Sequence, residues 1–469
     1  MFSGAGGLDI GVEQAGFEVA CAVETDKYAC ETLRGNRRLA SMDPANFDAW
    51  FDPIEERQYR RWPRDKRDRE RQRVRSACGA LPYLKGTEVL EGDIRSVSTE
   101  RIARAAMIDG PGELDLVVGG PPCQTFSRAG KGQTVNDDRG QLFLEFCRVV
   151  EELRPRWFLF ENVKGLAQTK TDLWQLECDG CGLAQIPRFD PARAPILGGS
   201  RGVSCDRCGS TTSWLLERAK RGGALDIILG EFRRIGYETT TVLLDSADYG
   251  VPQRRERLFV IGTRDAEGFS LPRPSHVDPH STQDLDAEHP SYRTVWETLF
   301  SEPNADHAWP LDLDEAVLWV KNVVRPHDEP VTWDLRRPSP TIGAHQGAKL
   351  AIAPVGVPKA QLERQRWHSR GRRQGDSPPV PVVHSYLSDR DLLLLQTFPR
   401  AWFIAGTRME RAFQIGNAVP PAFGRAVASG ILRGVGTQWV EREVPRSMSR
   451  ATARRRKGSA PRLESEGLA

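Results

Sequence analysis

Short apolar runs separated by longer amphipathic stretches set the rhythm of the chain's first half. Residues 19–23, 89–90, 114–118, 156–160, 237–244 and 258–262 are apolar and short, as strands buried in a sheet should be. Residues 10–17, 138–153 (with Asp138 as the N-cap) and 225–229 carry the helical segments between them. The alternation predicts an α/β domain built on a largely parallel sheet. From about 264 to 384 the rhythm breaks, and the sequence becomes Pro-rich, Trp-scattered and weakly periodic. Helices return at 387–395 and 422–432, before a basic tail from 436 that contains Arg454-Arg455-Arg456-Lys457 and reads as disordered.

Two stretches interrupt the main pattern. Residues 36–86 include an Arg-rich run from Arg57 to Arg73, which reads as a solvated helix laced with i,i+4 ion pairs. The alternative is a phosphate-contacting arm with Tyr59 and Trp62 for stacking. Residues 171–223 hold Cys178-x-x-Cys181 and Cys205-x-x-Cys208, two knuckles at zinc-ribbon spacing. Four thiolates leave a zinc ion no open position, so the ion expected there is structural.

Composition adds bounds. The 469 residues allow two or three domains, and a net charge of +3 leaves basicity to local Arg clusters. No apolar run is long enough to span a bilayer and no signal peptide is evident, which predicts a cytoplasmic protein without membrane contact. Nine cysteines in such a chain point to metal or catalysis rather than disulfides.

The candidate chemistry sits at strand ends. Gly119-Gly120-Pro121-Pro122-Cys123 stops the strand at 114–118 and holds a thiol on a stiff turn, where open α/β sheets place their ligands. Glu161 emerges from the apolar strand at 156–160, and desolvation there raises a carboxyl's pKa toward proton donation near neutrality. Phe2-Ser3-Gly4-Ala5-Gly6-Gly7 is a turn at a helix start, where a ligand can approach the backbone. Glu24 ends the strand at 19–23, and an acid there can accept from ribose hydroxyls. Asp93 repeats the arrangement one strand later. Gln253, Arg255 and Arg257 share one face of an extended segment by period two.

Taken in order, these motifs resemble the cytosine-5-specific DNA methyltransferases of bacterial modification systems. The resemblance covers about 2–432 apart from the two interruptions. It implies a Rossmann-like S-adenosylmethionine-dependent methyltransferase domain with a smaller target-recognition domain and an inserted zinc ribbon. The catalytic domain would span 1–263 and 386–435, the recognition domain 264–385, and the tail 436–469. Cys123 is then the nucleophile, Glu161 the proton donor, Arg257 the arginine on the target base's carbonyl oxygen, and Arg255 the one beside thiol and phosphate. Phe2, Gly4, Gly6, Gly7, Glu24, Asp93, Ile94, Pro122 and Leu142 would bind S-adenosylmethionine, as would Asn417, Ala418 and Val419 of Gln414-Ile415-Gly416-Asn417-Ala418-Val419-Pro420-Pro421. The helix after that motif would fold back beside the first. Double-stranded DNA is the implied partner, a restriction endonuclease the functional pair, and a monomer the working unit.

The same motifs serve transfer-RNA cytosine-5 methyltransferases and non-catalytic DNA-binding relatives. The length of 261–387 favours DNA, and intact Cys123, Glu161 and Arg257 favour catalysis. One departure is that only Met1 precedes Phe2, where the family has a strand. Either the start is set too late or the cofactor site is weakened.

Overall fold

The computed structural model describes residues 1–122, 142–167, 174–178, 180–181, 184–185, 208–209, 215–218, 223–279, 289–301, 316–320, 331–343, 350–354 and 385–435. Helix α1 (Gly7–Ala15) is followed by β1 (Cys21–Glu24), α2 (Lys27–Ala40), α3 (Phe47–Tyr59) and α4 (Arg64–Arg75). Then come β2 (Glu88–Glu91), α5 (Thr99–Ala105), β3 (Leu116–Gly119), α6 (Leu142–Leu153) and β4 (Trp157–Val163). Strands β1 and β2 pair in parallel, as do β3 and β4. Met1 lies against β3, its nitrogen donating to the Val118 carbonyl at 2.7 Å.

After α7 (Gly223–Arg234), β8 (Glu238–Asp245) and β9 (Glu256–Thr263) complete the sheet in the order β3-β4-β9-β8. Strand β9 runs antiparallel to both neighbours. Only residues 246–255 join β8 to β9, too few for the crossover that a parallel pair needs. Strand β4 is covered on both sides, as its unbroken apolar run requires. Phe158 and Phe160 face one way onto Phe146 and Phe232, with Phe158 stacked on Phe232 at 4.1 Å. Trp157 and Leu159 belong to the opposite core with Phe259, whose ring meets Phe423 edge-on at 5.1 Å.

The segment that resumes after the Pro-rich region holds α9 (Asp389–Leu395), α10 (Arg408–Asn417) and α11 (Pro421–Gly434). Helix α11 does lie along α1: a Cβ at Gly11 would come 2.6 Å from the Pro421 oxygen, and one at Gly424 3.2 Å from Leu8. Small residues on both helices let the backbones meet.

Elsewhere the structure adds strands that periodicity did not reveal. Strands β5 (Trp174–Glu177), β6 (Ala184–Gln185) and β7 (Leu215–Arg218) make an antiparallel sheet inside the cysteine-bearing interruption. Strands β10 (Ala316–Val320), β11 (Val331–Asp334), β12 (Leu350–Pro354) and β13 (Ser385–Tyr386) make another in the Pro-rich region, which also holds α8 (Val295–Phe300). The Arg-rich run is helical, with i,i+4 pairs such as Arg69–Asp65 at 2.9 Å. Among the described residues no helix is long and apolar enough to cross a membrane.

Candidate active site

The Gly-rich turn takes its shape from positive φ at Phe2 (56°), Gly4 (53°) and Gly6 (84°). Gly6 caps α1 in the left-handed conformation. Glu24 braces the turn: its Oε2 accepts from the Gly4 amide at 2.7 Å, and its Oε1 from the Thr25 and Asp26 amides at 2.8 Å. A Cβ built on Gly4 meets nothing within 4 Å, so this part of the turn is open. Behind it, Gly6 packs on Leu33 and Trp402, and Gly7 on the Val419 carbonyl.

After β2, Asp93 is held by Arg95, whose Nε reaches Oδ1 at 3.0 Å and whose Nη2 reaches Oδ2 at 2.5 Å. These bonds lower the Asp93 pKa. The next residue is fixed from α6, where Arg148 Nη2 donates to the Ile94 carbonyl at 2.9 Å.

Glu161 sits at the end of β4 with 12% of its side chain exposed, and its Oε1 receives Arg257 Nε at 3.0 Å. Burial raises the Glu161 pKa and outweighs the opposing pull of Arg257 and Arg255. Gly120 makes room for it, since a Cβ there would lie 2.7 Å from Glu161 Oε2. Asn162 Nδ2 ties the adjacent Pro121 carbonyl at 3.3 Å.

Gln253 and Arg255 are buried, as period two predicts for neighbours of Arg257. Arg255 donates to the Ile342 and Gly416 carbonyls at 3.2 and 3.0 Å and to that of Asn417 at 3.2 Å. Its guanidinium therefore also joins the Pro-rich region, through Ile342, to the α10 turn.

These elements enclose one cavity of about 630 Å³. Phe2, Gly4, Glu24, Asp93 and Ile94 line it from the first strands and turns. Pro122, Leu142, Glu161, Arg255 and Arg257 line it from the sheet's second half, and Asn417, Ala418 and Val419 close it. Gly6 and Gly7 lie behind the wall and shape it. Cys123, the next residue in the chain after Pro122, falls outside the described residues. Thr25, Asp26, Arg95, Asn162, Phe413 and Gln414 also line the cavity and were not singled out. Proximity to Glu24, Asp93, Glu161 and Asn417 in the chain was the only signal for them.

Away from the cavity, Cys178, Cys181 and Cys208 place their sulfurs within 4.8 Å of one another. The Cys178 and Cys208 sulfurs are 3.7 Å apart. A tetrahedral zinc with bonds of about 2.3 Å needs sulfurs about 3.8 Å apart, so these thiols fit the ion. Cys205 lies outside the described residues.

The profile of the family described as C-5 cytosine-specific DNA methylase matches residues 1–49, 76–176 and 215–433, and the chain belongs to that family. Type II methyltransferase M.AquIA of Picosynechococcus is 32% identical over 308 residues, covering 65% of this chain and 88% of its own. Type II methyltransferase M1.HphI of Haemophilus parahaemolyticus is 26% identical over 441 residues, covering 92% and 86%. Among solved structures, the S. pombe Dnmt2 methyltransferase aligns over 93% of this chain and 98% of its own at 14% identity, with a TM-score of 0.46. The protein is thus an enzyme of the cytosine-5 methylating class.

Proposed function

We propose that this enzyme methylates carbon 5 of a flipped-out cytosine in duplex DNA, as the modification partner of a restriction endonuclease. The observation that carries the reading is that Glu24, Asp93 and Asn417 share the walls of one cavity with Pro122, Glu161 and Arg257. Its volume of about 630 Å³ suits a nucleoside-sized ligand. The open backbone at Gly4 and the acceptors of Glu24 and Asp93 suit a ribose and an adenine amino group. Phe2, Ile94, Leu142 and the Asn417 to Val419 turn would complete the hold on S-adenosylmethionine. When bound, that cofactor supplies an electrophilic methyl group.

The chain's own residues prepare the base. Carbon 5 is not nucleophilic while the ring is aromatic. Addition of the Cys123 thiolate to carbon 6, with a proton from Glu161 to ring nitrogen 3, makes it enamine-like. Arg257 steadies the Glu161 carboxyl and offers donors to the base's carbonyl oxygen. Once carbon 5 carries the methyl group, a base takes the carbon 5 proton, the Glu161 carboxylate takes back the proton from nitrogen 3, and the thiolate leaves. The base must leave the stack to reach such a cavity.

Cys123→Ser tests the assignment. The variant should bind duplex DNA normally, fail to trap 5-fluorocytosine duplexes and lose turnover by roughly a thousandfold or more. Near-normal turnover, or a preference of the native enzyme for transfer RNA, would overturn the proposal. The thiols of Cys178, Cys181 and Cys208, with Cys205, would hold one structural zinc in a lobe apart from this chemistry.

A further inference from the structure

The Arg-rich α3–α4 hairpin overlaps the stretch 50–75 that the family profile leaves unmatched. Its charges are mostly spent on neighbours. Arg71 bonds Asp48, Asp52 and Glu55 across the hairpin, at 2.7 to 2.9 Å. Tyr59 and Arg73 face inward, onto α10 and the turn before it. Tyr59 is 1% exposed, and the guanidinium of Arg411 lies over its ring at 5.4 Å and over Trp62 at 5.9 Å. Arg73 pairs with Glu70 at 2.6 Å and donates to the carbonyls of Arg400 and Trp402 at 2.7 and 3.0 Å. Gln58 Oε1 accepts the Gly406 amide, and Arg57 reaches Glu31 on α2 at 2.9 Å.

These contacts converge on Arg411, which is 2% exposed, meets Asp389 at 2.7 Å and donates to the Gly406 carbonyl at 2.6 Å. Gln414 is one helical turn further along and lines the cavity, with its Oε1 receiving Thr32 of α2 at 2.7 Å. Phe413 and Asn417 line it from the same helix. Buried charge networks of this kind are better suited to fixing one register than to adding stability.

We propose that the α3–α4 hairpin is a positioning element for the cofactor pocket, acting through Tyr59 and Arg411 to hold α10 at the cavity wall. It is not a nucleic-acid arm. The inference rests on the cavity being the S-adenosylmethionine site.

The test uses the full chain with Tyr59→Leu, Tyr59→Phe and Gln58→Ala. Calorimetry with S-adenosylhomocysteine gives cofactor affinity, and steady-state kinetics separate KM from kcat. Tyr59→Leu should weaken cofactor affinity and raise its KM about tenfold, the worth of a desolvated cation–π contact. At saturating cofactor, kcat and duplex affinity should stay within about twofold. Tyr59→Phe keeps the ring and should restore affinity, while Gln58→Ala, which loses one hydrogen bond, should weaken it about threefold. Should Tyr59→Leu fail to fold, Gln58→Ala carries the test alone. Folded variants that bind cofactor as the native enzyme does would overturn the proposal, and so would a loss confined to DNA binding. A native enzyme that bound no S-adenosylhomocysteine would instead overturn the cofactor reading on which the proposal stands.

Discussion

Gly11 of α1 faces the backbone of α11 so closely that a Cβ would lie 2.6 Å from the Pro421 carbonyl oxygen and 2.8 Å from the Arg425 amide nitrogen. Neither atom belongs to a side chain that could swing aside. The contact links the Gly-rich turn to the Asn417 to Val419 wall, so a spacer there should separate two sides of the cavity. Gly11→Ala is expected to cost about 1–3 kcal/mol of stability despite alanine's better helix propensity. Cofactor affinity should fall as well. An unchanged thermal midpoint with unchanged S-adenosylhomocysteine binding would show that the helices can part without consequence.

Glu161 is the second test. Its carboxyl is held beside Arg257 in a buried site, and burial raises its pKa. The proton it is asked to donate is therefore retained to higher pH than on a solvated glutamate. Glu161→Gln keeps the size and removes the acid, so turnover should drop roughly a hundredfold or more while cofactor binding persists. In the native enzyme kcat should fall on the alkaline side as Glu161 ionises. A variant that kept both the rate and that alkaline limb would remove Glu161 from the chemistry.

Much of the site was legible because local patterns dictate it. Strands β3 and β4 are continuous apolar runs, and sheets covered on both faces demand such runs. Gly4, Gly6 and Gly7 announced a turn, and Gln253, Arg255 and Arg257 announced one buried face by their spacing. What was hidden depends on contacts distant in sequence. Nothing near Arg255 forecasts that it will grip the carbonyls of Ile342 and Gly416. Asp93 could be read as a ligand, but its two-pronged pairing with Arg95 appears only in the geometry. Strands β6 and β13 span two residues each, too short to show any period. The Arg-rich hairpin looked like a solvated surface, and half of it is one. Tyr59, Glu70 and Arg73 turn inward because Arg411 of α10 and the carbonyls of Arg400 and Trp402 offer this cluster its partners, which composition cannot express.

Glu13 supplies a pH prediction about stability. It accepts the Leu84 amide at 2.9 Å, and burial raises its pKa from 4.5 to about 7. A carboxyl raised on folding contributes stability that is fully present below 4.5 and is lost as pH rises to about 7. The Glu13→Gln variant lacks this titration. Relative to it, the native enzyme should therefore lose ground between pH 4.5 and 7, read as a change in the difference of their thermal midpoints. A difference that stays constant over that interval would show that Glu13 is solvated in the folded chain.

The cysteine lobe gives the last prediction. Strand β5 lies between β6 and β7 in a sheet of two- and four-residue strands, far too small to hold itself together by burial. Cys178 is buried at the end of β5, and its sulfur is 3.7 Å from that of Cys208, thirty residues on. Thiols at that spacing are joined by a shared metal or by a weak S–H···S hydrogen bond, not by a disulfide, which needs about 2.05 Å. A zinc held by four thiolates would have no water to activate, so it would fold the lobe and take no part in methyl transfer. Native enzyme should carry one equivalent of zinc by elemental analysis, and the variants Cys181→Ser and Cys208→Ser should each lose it. Both should keep S-adenosylhomocysteine affinity and kcat at saturating DNA, because no described residue of the lobe lines the cavity. Their affinity for duplex DNA should fall, since the lobe is inserted in the chain between the Glu161 strand and α7. Undiminished zinc in either variant would refute the site. Loss of turnover at saturating DNA in a variant with a native thermal midpoint would refute the separation of the metal from the chemistry.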